Sequence, residues 1–481
     1  MPVNSIQPPL ARTKTIATVG PACDQTPILK ELIANGANIF RLNMAHGSRQ
    51  EHDRIIEHIR AASDEADHTV GVLVDLAGPK IRLGELYEDP TICESGDEFL
   101  FVRGDTTNSR NELLSNYATL VDELTVGDCV MLADGVVSMR VITVDEDRVR
   151  CRVNDGGMLR SRQGINLPGV KLSVPTMSHE DRNNAIWAAT VGADFVSLSF
   201  VRSPEEILEL KELLIAQRSS ALVIAKIEKS EALQRLDEIV AVADGVMVAR
   251  GDLGVETDVA EMAVVQKRII STCQSHLKPV IVATQMLDSM QHSLRPTRAE
   301  ATDVANAILD GADACMLSGE TAIGNFPRET VTMMNRIMLA TERLLLDRPA
   351  QEVATVALSG IQPISSATVF GAAQIAAKIQ AKLVVVATRS GATARVKSKQ
   401  RDFIATIGVS QNAEALQRMT LFWGITPLAH APVDDPVQLH EFITAWGRRH
   451  ELLEVGDRIV YVTGTDVVQG THNRVDLKEV R

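Results

Sequence analysis

The polar residues that could do chemistry in this sequence sit in closely spaced sets at the ends of apolar runs. "ALVIAKIE" closes with Lys226 and Glu228, two residues apart and therefore on one face of an extended strand. "DGVMVARGD" closes with Arg250 and Asp252, and "ANIFRLNM" carries Arg41 and Asn43 at the same spacing, with His46 in the turn that follows. "GVLVD" stops at Asp75 before a Gly-Pro break flanked by Lys80 and Arg82; "VIVATQ" presents Thr284, and "ACMLSGE" presents Ser318 and Glu320. One such pair reads well as a structural ion pair. A whole ring of polar strand ends does not, because each unpaired buried ion costs several kcal/mol, so a polar ligand or a metal is expected among them. Glu228 and Asp252, with no histidine or cysteine in the motif, suit a hard, oxygen-seeking divalent ion, Mg²⁺ or alternatively Mn²⁺. Lys226 beside that ion and Arg41 across from it would meet an anion, and these are the parts that phosphoryl transfer recruits.

The elements that must position these residues follow from pattern. Eight short apolar runs, from "TKTIATVG" to "ACMLSGE", alternate with amphipathic stretches such as "SPEEILELKELLIAQ". Near-continuous apolar strands separated by helices indicate a parallel sheet covered on both faces, and eight units predict a closed (β/α)8 TIM barrel. A doubly wound open sheet is the alternative. Between the third and fourth runs lies an interval of short alternating strands, including "CVMLADGVVSMRVITV" and "RVRCRVND", which reads as a small inserted β-barrel lid over the barrel mouth. After the helical stretch 328–346 and Pro349, "KLVVVATRSGATARVKSK", "FIATIGVS" and "DRIVYVTGT" predict a C-terminal α/β domain. The expected boundaries are 1–79 and 175–347 for the barrel, 80–174 for the lid and 348–481 for the C-terminal domain.

Composition narrows the class. A net charge of −13 argues against a nucleic-acid partner, and 3% aromatic residues leave little for base stacking. The six cysteines form no CxxC pair and read as reduced thiols of a cytoplasmic protein. No run approaches membrane-spanning length, and "MPVNSIQPPLARTK" lacks the apolar stretch of a secretion signal.

Taken together, "RLNMAHG", "DLAGPKIR", "GINLPG", "KIE", "VMVARGDLGVE", "ATQMLDSM" and "PTRAEATDVANAILDGADACMLSGETA" resemble the pyruvate kinase family across the barrel, the lid and the C-terminal domain. The resemblance implies phosphoryl transfer from phosphoenolpyruvate to ADP, giving pyruvate and ATP. It implies that Lys226 stabilises the transferring group and that Glu228 and Asp252 hold the divalent ion. Arg41 would bind the phosphoryl group between the substrates. The backbone around Ala249, Arg250 and Gly251, with Thr284, would grip the substrate carboxylate, and Thr284 and Ser318 would lie near the proton path to the enolate carbon. Asn43, His46 and Arg82 would line the nucleotide phosphates, with a second divalent ion arriving on ADP. Where the family often has a basic residue before "GVNLPG", this chain has Gln163, preceded by Arg162, which puts the lid's share of nucleotide binding in doubt. The resemblance further implies a homotetramer.

Two departures concern potassium. The commoner pattern coordinates K⁺ with the asparagine and serine of "RxNxSHG" and the aspartate and threonine of "DTKG"; here Asn43 and Asp75 remain, but Ala45 and Leu76 replace the two hydroxyl residues. Lys80 stands where the common pattern has glutamate. A tethered ammonium about 6 Å from the developing charge is worth on the order of 3 kcal/mol at an effective dielectric near 20, so K⁺ is expected to be dispensable; the plainer alternative is an exposed hinge lysine. In "VVATRSGATAR", Thr388, Arg389, Ser390, Gly391 and Thr393 suit an anion site, with an ordinary capped turn as the alternative; the resemblance implies that the anion belongs to a sugar-phosphate or nucleotide effector and that the C-terminal domain is regulatory. Two rival functions are a metal-dependent aldolase or lyase, which needs no lid or nucleotide site, and a non-catalytic metabolite sensor.

Overall fold

The computed structural model describes residues 10–133, 135–346, 363–464 and 472–481. Its centre is a closed barrel of eight parallel strands: β1 (Lys14–Thr18), β2 (Ala37–Asn43), β3 (Gly71–Asp75), β4 (Phe195–Leu198), β5 (Leu222–Ile227), β6 (Gly245–Ala249), β7 (Val280–Ala283) and β8 (Ala314–Leu317). Each strand pairs with its neighbours in sequence, and β1 closes the ring against β8, with Lys14 opposite Ala314. The open-sheet alternative is thereby excluded.

Alternation along the strands divides their residues between two cores. Val72, Val74, Val196, Leu198, Val223, Ala225, Val246, Val248 and Val282 pack with the surrounding helices. Ile16, Ile39, Leu73, Phe195, Ile224, Met247, Ile281, Ala314 and Met316 fill the lumen. Two residues further along each strand, the lumen parity arrives at Thr18, Arg41, Asp75, Ser197, Lys226, Ala249, Ala283 and Ser318. The polar ring is thus the upper layer of a packed barrel interior. Several helices on the outside begin with reciprocal caps, Ser48 with Glu51 and Thr297 with Glu300, which satisfy N–H groups that the first helical turn leaves free.

The insertion after β3 folds as a six-stranded sheet and a two-stranded sheet around its own apolar core, which includes Phe99, Phe101, Val130, Leu132, Val141 and Cys151. The C-terminal domain is a five-stranded sheet. Two of its strands, Ile425–Leu428 and the antiparallel edge strand His472–Glu479, were not among the runs that sequence pattern singles out. The expected boundary at 347/348, with Pro349, lies outside the described residues. Leu421 and Phe422 of this domain join the same core cluster as the barrel lumen, so the domain closes the N-terminal end of the barrel. The six cysteines are free, and all but Cys129 are buried. Among the described residues no helix is long and apolar enough to cross a membrane.

Candidate active site

Arg41 and Asp75 form the anchor of the mouth. The guanidinium donates to Asp75 Oδ2 from Nε (2.8 Å) and from a terminal nitrogen (2.5 Å), and its other terminal nitrogen reaches Thr18 Oγ1 (3.1 Å). Asp75 Oδ1 accepts from Ser197 Oγ (2.6 Å) and lies 3.3 Å from Lys226 Nζ. Burial alone would raise the Asp75 pKa, but Lys226 and Arg41 outweigh it and bring it down to about 2.

Lys226 is the hub. Its ammonium donates to Ser199 Oγ (2.6 Å) and pairs with Glu228 Oε1 (2.9 Å), while Ser199 in turn donates to the Leu76 carbonyl (2.7 Å). Burial disfavours its charge, yet Asp75 and Glu228 prevail and the pKa rises, so the group stays cationic. Glu228 moves the other way from an ordinary carboxylate: burial, opposed by Lys226 and reinforced by the charge of Asp252, raises its pKa. Its second oxygen accepts from the Phe200 N–H (2.6 Å), and Phe200 holds a left-handed backbone (φ 55°) that a bulky residue rarely adopts.

Arg41, Asn43, Asp75, Lys80, Ser199, Lys226, Glu228, Ala249, Asp252, Thr284 and Ser318 share one cavity of about 100 Å³. A larger cleft of about 570 Å³ opens between barrel and lid, lined by Lys80, Arg82, Gln163 and Asp252 among others. Lys80 and Asp252 border both. The Lys80 ammonium makes no hydrogen bond or ion pair among the described residues; partial burial and the charge of Lys226 push its pKa down, with Asp252 opposing.

Among the other expected residues, Arg250 and His46 stand apart from the cavity lining, whereas Thr284, Arg82 and Gln163 border it or the cleft. The Arg250 side chain turns away from the cavity to pair with Asp303 (2.6 Å) and to donate to the Thr284 carbonyl (2.7 Å), so only its backbone stays near the cavity mouth. Glu320 is buried in the loop after β8, accepting from the N–H groups of Ser318 (2.7 Å) and Leu287 (3.1 Å), and does not line the cavity. Thr284 Oγ1 accepts from the Gly251 N–H (2.8 Å) and donates to the Ala283 carbonyl (2.7 Å), which fixes the hydroxyl between β6 and β7. His46 lines neither space, although Lys80, Arg82 and Arg41 help burial lower its pKa. The Arg82 side chain donates to the Arg162 carbonyl (3.0 Å), and Gln163 Oε1 accepts from the Arg160 N–H (2.7 Å).

Thr18, Ser197 and Ser199 belong to the site and were missed. Serine and threonine in an apolar run pass for strand-forming residues, but "SLS" repeats the two-residue spacing that marked Lys226 and Glu228. In the C-terminal domain, Thr388 Oγ1 accepts from the Gly391 N–H (3.2 Å) and Ser390 Oγ from that of Ala392 (3.4 Å). Gly391 sits at φ 86°, where a side chain would be strained.

A cationic hub beside two carboxylates, with a second cationic group opposite, is equipped to hold a phosphoryl group and an oxygen-bound metal. The sequence matches the family description "Pyruvate kinase, barrel domain" over residues 10–331 and "Pyruvate kinase, alpha/beta domain" over residues 366–477. The chain belongs to the pyruvate kinase family. It is accordingly a phosphotransferase. It is 40% identical to pyruvate kinase 2 of Synechocystis sp. over 98% of this chain and 79% of that protein. It is 37% identical to the pyruvate kinase of Methylorubrum extorquens over 96% of each. The crystal structure of a pyruvate kinase from Cryptosporidium parvum superposes with a TM-score of 0.90 at 32% identity, over 100% of both chains.

Proposed function

We propose that the chain transfers the phosphoryl group of phosphoenolpyruvate to ADP, with Mg²⁺ as the divalent ion and without a requirement for K⁺. The observation that carries this reading is the Arg41–Asp75–Lys226–Glu228 cluster facing a cavity that Asp252 and Thr284 also border. The Glu228–Asp252 pair fits a divalent cation: both offer oxygen, and burial together with the charge of Asp252 makes Glu228 harder to ionise until a cation lies near. Such an ion neutralises charge on substrate oxygens. Lys226, kept cationic by Asp75 and Glu228, stabilises the phosphoryl oxygens in flight. Arg41 holds the same group from across the mouth, its fork oriented by Asp75 and Thr18. The backbone N–H groups of Arg250 and Asp252 in the first turn of the Arg250–Glu256 helix suit the substrate carboxylate, beside the Thr284 hydroxyl that accepts from the Gly251 N–H. Thr284 and Ser318 flank the path by which a proton reaches the enolate carbon. The larger cleft, bordered by Arg82 and Gln163, accommodates the nucleotide.

Lys80 supports the K⁺-independent reading, because its ammonium, without a hydrogen bond or ion pair among the described residues, borders the cavity while Ala45 and Leu76 offer no side-chain oxygen. The 388–391 loop is read as the effector's anion site, and exposed Val259, Val264, Leu294 and Ile323 suit subunit contacts of a homotetramer. The decisive experiment measures pyruvate formation from phosphoenolpyruvate and ADP with Mg²⁺, in potassium buffer and in tetramethylammonium buffer at equal ionic strength. Equal rates support both parts of the reading. Activity confined to potassium buffer keeps the reaction and removes the role of Lys80; no activity in either removes the reaction.

A further inference from the structure

The three strands that meet in the densest part of the mouth, β3, β4 and β5, also share a neighbour at their opposite ends. It is the short Ala413–Met419 helix of the C-terminal domain. With its amide turned to satisfy both atoms, Gln417 donates to Asp194 Oδ1 (2.9 Å) and accepts from Arg60 (2.9 Å). Asp194 immediately precedes β4; its other carboxylate oxygen accepts from the N–H of Val72 in β3 (2.7 Å), and its carbonyl accepts from the N–H of Leu222, the first residue of β5 (3.0 Å). Thr420, just past the helix, packs so close to β3 that a methyl group on Gly71 would lie 2.6 Å from its Oγ1. This helix and the residue after it therefore grip the feet of the strands that carry Asp75, Ser197 and Lys226 near their upper ends.

Arg418 extends that grip to the 388–391 loop. One terminal nitrogen donates to the Ser220 carbonyl (2.5 Å), two residues before β5, and the other reaches the Ser390 carbonyl (3.4 Å). Ser220 and Lys226 are separated by about 20 Å of extended chain at ~3.3 Å per residue. A strand hydrogen-bonded on both sides in a closed barrel carries a shift at its foot toward its upper end, where Lys226 and Glu228 border the cavity.

We propose that Arg418 is a positioning residue that couples the 388–391 loop to Lys226 and Glu228 through β5. The regulatory half of this proposal rests on the reading of that loop as an anion site; the positioning half does not. Arg418 touches no reacting atom, so its loss should act on substrate binding and on communication and leave the chemical step alone.

The test compares wild type with Arg418→Met, which keeps the apolar stem, and Arg418→Lys, which keeps the charge and one bond. Steady-state kinetics with phosphoenolpyruvate are run with and without fructose 1,6-bisphosphate, glucose 6-phosphate, AMP and inorganic phosphate, and calorimetry measures binding of each. Arg418→Met is expected to raise the KM for phosphoenolpyruvate at least about fivefold, the lower end of usual coupling factors, with kcat within about twofold. It should still bind whichever probe the wild type binds while losing the kinetic response, and Arg418→Lys should recover part of both. An unchanged KM in Arg418→Met overturns the positioning role, and a retained response overturns the coupling. If the wild type binds none of the probes, the effector reading fails by itself, and the KM comparison still decides the positioning role. Should Arg418→Met fail to fold, an unchanged KM in Arg418→Lys overturns the proposal, because a primary ammonium cannot span both carbonyls.

Discussion

Asp75 at the mouth of the barrel and Asp313 at its floor are each held by two cations. Asp75 takes Arg41 and Lys226, and Asp313 takes Lys399 (2.6 Å) and Arg401 (3.0 Å) from the C-terminal domain. Both carboxylates are almost fully buried. They differ in what the cations do with their remaining donors. At the floor, Arg401 also bonds the Gly311 carbonyl (2.7 Å) and lies over the Trp423 ring, while Asp313 accepts from the Val280 N–H (2.8 Å), so the charges are used up in joining two domains. At the mouth, Arg41 and Lys226 border a cavity together with Glu228, Asp252 and Lys80. The same constellation docks a domain in one place and lines an open cavity in the other, and a charge count alone would not tell them apart.

The sharpest way to break this comparison is Asp313→Ala, which strands two buried cations. It should lower unfolding stability by about 3–5 kcal/mol in urea titrations, with kcat of the folded enzyme within about twofold. If the folded variant instead lost turnover as a mouth variant does, the contrast would collapse. Lys226→Met should do the reverse, reducing kcat for pyruvate formation about 100- to 1,000-fold in an enzyme that circular dichroism finds folded. Wild-type turnover would remove Lys226 from the chemistry.

Acid titration sharpens the mouth's side of the contrast. Asp75 has a folded pKa depressed from 3.8 to about 2, so its contribution of about 2 kcal/mol is present above the unfolded value and lost as pH falls from about 4 to 2. Wild type should therefore lose more stability across that window than Asp75→Asn, measured relative to each protein's value at pH 5. Parallel curves would mean that the ion pairs do not set the carboxylate's affinity for protons. The smallest effect is expected for the exposed Arg235–Glu205 pair: Arg235→Ala should leave both the melting midpoint and kcat unchanged, because water screens such pairs.

Legibility in the sequence followed the same division. Arg41, Asn43, Lys226 and Glu228 stood out because ionic and amide side chains in apolar runs violate the burial rule, and strand periodicity aligned them. Thr18, Ser197 and Ser199 obey the composition of a strand and were silent. The direction of the Arg250 side chain was unreadable because its partner, Asp303, lies 53 residues away. The floor was wholly illegible: Asp313, Lys399 and Arg401 are ordinary surface residue types, and only the packing of one domain against another buries them. The edge strand His472–Glu479 went unmarked because charged residues such as Arg474, Asp476 and Lys478 alternate along it.

Barrel closure by β1 against β8 has a consequence for how the chain is made. Lys14 meets Ala314 only after some 300 further residues have been added, which at about 5–20 residues per second takes roughly 15–60 s on the ribosome. Throughout that time one edge of β1 presents free backbone groups, while the lid between β3 and β4 carries a complete core of its own and can fold first. The nascent chain thus emerges with a finished ornament on an unfinished ring, and the exposed β1 edge is the stretch where a chaperone has the longest opportunity to act.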